Sequence, residues 1–69
     1  MACEEKQLLG SEYEAATKNF SRAVSELQQN MGVSSKAEYE RLARASDEAR
    51  VKSEQARLAL EQHISAHRC

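Results

Sequence analysis

The sequence has no proline and no tryptophan, and its 69 residues include only two glycines, two cysteines, one phenylalanine and two tyrosines. Without proline, no position is barred from donating a helical hydrogen bond, so long helices can run uninterrupted. So few aromatics leave little material for a large enclosed core, and a chain of this size buries a low fraction of its surface in any case. Cys3 and Cys69 stand near opposite ends. Such a pair does not make a disulfide framework, and in a reducing compartment both are expected as thiols or metal ligands. No apolar run approaches the roughly 20 residues that cross a bilayer. The opening Met-Ala-Cys-Glu-Glu-Lys lacks the basic segment and apolar run of a secretory signal. These absences point to a cytoplasmic chain forming one small domain over residues 1–69.

A dominant charge is missing as well. Ten Lys and Arg stand against eleven Asp and Glu, a formal net charge of −1, so no global field draws in nucleic acid or an acidic partner. Arg41, Arg44, Arg50, Lys52, Arg57 and Arg68 crowd the second half. Glu40, Asp47, Glu48, Glu54 and Glu61 are interleaved with them and cancel the field that a phosphate backbone would meet. No face is both basic and strongly apolar, which argues against a membrane surface. Neither nucleic acid nor membrane is an expected partner.

What the chain does have is helical spacing on either side of one glycine. Leu9, Tyr13, Ala16, Phe20, Ala23 and Leu27 recur in alternating steps of four and three, which places them on one face of a helix. Gly10 interrupts the composition without shifting the spacing, so a continuous helix over about residues 2–31 is expected, at a cost of about 1 kcal/mol relative to alanine. Gly32 suits the left-handed residue that ends a helix. Ser35-Lys36-Ala37-Glu38 has the Ser-x-x-Glu form of a capping box and predicts a second helix over about residues 36–67. The short interval between the two predicts an antiparallel hairpin, in which residue i lies opposite about 65 − i.

The fold class expected is therefore all-α, a two-helix, coiled-coil-like hairpin with its turn at Gly32, Ser35 and Glu38. Tyr13, Phe20 and Leu27 would form its seam with Leu42, Ala45, Ala49, Ala56 and Leu60, and Ser46 and Ser53 fall within the same band. Large side chains on the first helix then face small ones on the second, which fills an interface without voids. Leu8, Ala15, Val51 and Leu58 do not fit this seam. The pairing rule sets them side by side as a second apolar strip, and two helices cannot enclose a core alone. A homodimer or higher homo-oligomer forming a four-helix bundle is the expected assembly.

One group of residues has chemical potential. His63 and His67 have the i, i+4 spacing used for zinc, Cys69 follows shortly after, and antiparallel pairing brings Cys3 to the same end. Cys3, His63, His67 and Cys69 could supply two thiolates and two imidazoles to a tetrahedral zinc, clamping the chain ends together. Against this, the residues are terminal, no Cys-x-x-Cys pair is present, and a histidine beside an apolar stripe is ordinarily a half-buried polar residue. A Cys3–Cys69 disulfide is disfavoured because Cys69 overshoots its partner by about seven residues, ~10 Å of helix.

Catalysis is not expected. Acid–base chemistry needs a pocket that excludes water, and a two-helix chain offers none. The sequence has no glycine-rich phosphate loop and no supported nucleophile–base arrangement. The primary expectation is a non-enzymatic structural or protein-binding module that self-associates and needs no cofactor. The alternative is a small zinc-binding or redox-responsive protein built on the terminal cysteines and histidines.

Overall fold

The computed structural model describes residues 2–67, with side chains from Glu4 onward. It is an antiparallel hairpin of two helices, α1 (Ala2–Asn30) and α2 (Lys36–His67), and no strand occurs among the described residues. The Cα trace extends 50 × 13 × 11 Å, so the molecule is a rod two helices thick. Neither helix is long and apolar enough to cross a membrane.

Gly10 lies within α1 and does not break it. A continuous helix leaves Ser11 in mid-helix with no terminus to cap, and Glu14 instead pairs with Lys18 one turn on, at 3.2 Å. The end of α1 is set by Asn30 and Gly32. Gly32 takes a φ of +81°, which a residue without Cβ reaches without strain. That turn directs three donors at the Asn30 carbonyl: the amides of Val33 at 3.3 Å and Ser34 at 3.1 Å, and the Ser34 hydroxyl at 2.9 Å. The Asn30 side chain donates back to the Glu26 carbonyl at 2.8 Å. In the same last turn the Gln28 carbonyl accepts the Met31 amide at 3.3 Å.

The start of α2 is capped from Ser35. Its hydroxyl accepts from the Glu38 amide at 3.2 Å, and its carbonyl accepts the Tyr39 amide at 2.9 Å. The Glu38 carboxylate faces forward to Arg41, 3.8 Å away.

Between the helices, the half-buried positions of α1 include the series Leu9, Tyr13, Ala16, Phe20, Ala23, Leu27 and Asn30, with Lys6, Gly10 and Val24 beside it. On α2 the corresponding series runs Leu42, Ser46, Ala49, Ser53, Ala56, Leu60 and His63, with Ala43 and Ala59 beside it. Both series advance in steps of three and four, the geometry in which two helices lie nearly parallel over a long contact. Ala45, expected in the seam, is exposed, and the buried neighbour is Ser46. Tyr39 and Ile64, near the two ends of α2, are 39 % and 38 % exposed. The inward series on α2 includes three polar residues, and at one of them, Ser46, the buried position lies one residue from the apolar Ala45.

The register also differs from simple counting. Ser53, placed opposite Tyr13 and its neighbours by the rule of about 65 − i, shares a hydrogen bond with Thr17 at 3.4 Å. Glu5 approaches His63 at 3.8 Å. Helical side chains lean toward the N-terminus of their own helix, which in an antiparallel pair means away from the turn on α1 and toward it on α2. Side chains that touch therefore belong to residues whose numbers sum to somewhat more than those of facing backbone positions.

Candidate functional site

The hairpin builds little interior. Leu42, at 8 % exposure, is the sole hydrophobic residue among those described that counts as buried, accompanied by Ser46 and His63, and no side chain is fully enclosed. Tyr13, Phe20, Leu27, Ala49, Ala56 and Leu60 are half-buried along the seam. Outside it, Leu8, Met31, Val33, Val51 and Leu58 stand in water, with Val33 the most open at 79 %.

Of the residues expected to bind metal, His63 and His67 are brought together, their ring centroids 4.5 Å apart and tilted by 40°. The consecutive turns of α2 impose this proximity. His63 is buried against α1 and has the Glu5 carboxylate at 3.8 Å from Nδ1. Cys69 and the side chain of Cys3 lie outside the described residues. Among the described residues, no group of three or more His, Cys, Asp or Glu side chains is placed to hold a metal.

Leu8, Ala15, Val51 and Leu58 are all exposed, but they occupy two faces. At about 100° per residue, Leu8 and Ala15 are turned roughly 100° from the adjacent seam residues Leu9 and Ala16. Val51 and Leu58 are two residues beyond Ala49 and Ala56, about 200° round the helix, which puts them on the back of α2. They do not join Leu8 and Ala15 in a single strip. The cause is that the pairing rule gives a residue's level along the rod and not its angle about the helix axis.

Two flanks remain between these outer faces and the seam. On one, the Thr17 and Ser53 hydroxyls meet, and Arg50 and Arg57 are held by their own helix. Arg50 contacts Asp47 at 3.0 Å and Glu54 at 2.9 Å, and Arg57 contacts Glu61 at 2.9 Å. The hydrogen bond to Asp47, followed by the charge of Glu54, raises the Arg50 pKa further above its ordinary value. The other flank is hollowed. Ala16, Asn19, Ala45, Glu48, Ala49 and Lys52 line an open groove of about 180 Å³. That volume is below the roughly 300–1,000 Å³ of small-molecule sites, and its floor is alanine. It offers no enclosed space in which water could be excluded from a reacting group.

Sequence reasoning did not find this groove. Its signal was present in the alanines at 16, 45 and 49, but their convergence on one flank depends on how the two helices are rotated about their axes. Compared with known proteins, the chain matches no family model, no curated protein and no solved structure at a significant level.

Proposed function

We propose that this chain is a non-enzymatic, self-associating helical hairpin that acts in the cytoplasm as a structural or protein-binding module. One observation carries the reading: among the described residues no side chain is fully enclosed, and Leu42 is the sole hydrophobic one that counts as buried. Two helices can hide one seam between them and no more. A second pair supplies the missing walls, and a four-helix bundle is the simplest closed arrangement. The near-zero net charge of −1 places little repulsion between copies.

Sedimentation or light scattering across a concentration series tests the proposal. Twice the mass of one chain, or more, supports it, and a single-chain mass at millimolar concentration rejects it.

A second reading rests on the adjacent rings of His63 and His67. With Cys3 and Cys69 they would bind zinc at the open end of the hairpin, in a metal- or redox-responsive role. Metal content of protein purified without a histidine tag tests it. Less than one zinc per four chains, with thermal stability unchanged by chelator, removes this reading.

A further inference from the structure

The two flanks differ in how their charges are used. On the Thr17–Ser53 flank, Arg50 and Arg57 are each satisfied by carboxylates of α2 itself. On the groove flank, Glu48 and Lys52 have the i, i+4 spacing of an ion pair yet form none with each other or with any other described residue. Both are exposed, and they sit at the lip of a groove whose floor is Ala16, Ala45 and Ala49. Small side chains there allow another helix to approach closely, to the 8–10 Å axial separation of packed helices.

A negative and a positive charge four residues apart on one helix are self-complementary under a two-fold rotation. If the axis crosses α2 midway between them, at the level of Arg50, each Glu48 meets a Lys52 from the opposite copy, and the reverse contact follows by symmetry. The hairpin register sets Ala16 of α1 at about that same level. Ala49 and Ala16 then come close to the axis, with Glu48 and Lys52 about 3 Å along the rod to either side of it and Ala45 further out.

We infer that a second copy of this chain docks on the Ala16–Ala45–Ala49 groove, its α2 antiparallel to the first, with Glu48 of each copy facing Lys52 of the other. This rests on the self-association proposed above and names the face and symmetry that carry it. The back of α2, with Val51 and Leu58, stays outside the interface and is free for other contacts.

Charge reversal tests the inference because symmetry doubles its effect. Glu48→Lys puts lysine opposite lysine at two places, and Lys52→Glu puts glutamate opposite glutamate. The dimer dissociation constant, measured by sedimentation at low salt, is expected to rise at least tenfold in each single variant. It should return to within about threefold of the unmodified protein in the double variant. An equimolar mixture of the two single variants should form a heterodimer, since each then presents the charge that the other lacks. Circular dichroism of each single variant confirms that the helices are intact before mixing.

Single variants that dimerise as well as the unmodified chain, or a mixture that stays dissociated, would overturn this interface while leaving self-association standing. An unmodified chain that remains single at millimolar concentration would overturn both.

Discussion

The hydroxyls of Thr17 and Ser53 meet across the seam at 3.4 Å, joining α1 to α2 near the middle of the rod. Thr17 also donates its proton to the Tyr13 carbonyl at 2.8 Å. A hydroxyl has one proton, so Ser53 is the donor across the seam and Thr17 the acceptor. The contact therefore has a direction, from α2 to α1.

Replacing Ser53 tests that bond. Ser53→Ala loses a hydrogen bond worth about 0.5–1.5 kcal/mol and regains roughly 0.5 kcal/mol of helix propensity. The net loss should stay below about 1 kcal/mol. A double-mutant cycle with Thr17→Val isolates the interhelical part, expected at about 0.5–1 kcal/mol by denaturant unfolding. Zero coupling would show that the two hydroxyls do not meet in solution.

The two glycines should respond oppositely to the same substitution. A Cβ would meet nothing within 4 Å at either position, so packing does not distinguish them. Gly10 is helical, and Gly10→Ala should raise stability by about 0.5–1 kcal/mol. Gly32 holds a φ of +81°, and Gly32→Ala should lower stability by about 1 kcal/mol through backbone strain alone. Paired thermal melts give both signs.

Truncations separate the seam from the back of α2. Leu42→Ala removes the best-buried hydrophobic side chain and should cost about 2–3 kcal/mol, the lower part of the usual range because the site borders solvent. Leu58, 48 % exposed, should tolerate alanine within about 0.5 kcal/mol. The mass in solution should not change in Leu58→Ala. A loss of dimer in that variant would shift the interface to the back of α2.

The Arg50 network should be sensitive to salt. Its contacts to Asp47 and Glu54 are both exposed, at 3.0 and 2.9 Å. Arg50→Gln is expected to lower the melting temperature slightly at low ionic strength. In about 1 M salt, where charges are screened beyond about 3 Å, the difference should vanish.

Much of the fold is legible in the residues. Gly32 and the Ser35–Glu38 cap mark the turn, and the spacing from Leu9 to Leu27 marks the inner face of α1, because these signals are local and need no knowledge of the partner helix. The inner face of α2 is harder to read. Ser46 and Ser53 fall within the expected band, but hydrophobicity alone does not show that Ser46 and His63 are buried there while Ala45 is exposed. The groove was not legible at all, since it joins residues of both helices.

The sequence alone determined two helices, their ends, the turn between them and a seam of large against small side chains. Each follows from backbone preference, capping or periodicity within a few turns of chain. The tertiary structure decided the rotation of one helix against the other. Rotation depends on which side chains touch across the seam, and the lean of those side chains shifts every contact from the position that counting assigns. A single step of about 100° separates a seam residue from a rim residue. Packing left Ser46 buried and Ala45 at the groove, and the angles about the two helix axes set Val51 and Leu58 apart from Leu8 and Ala15.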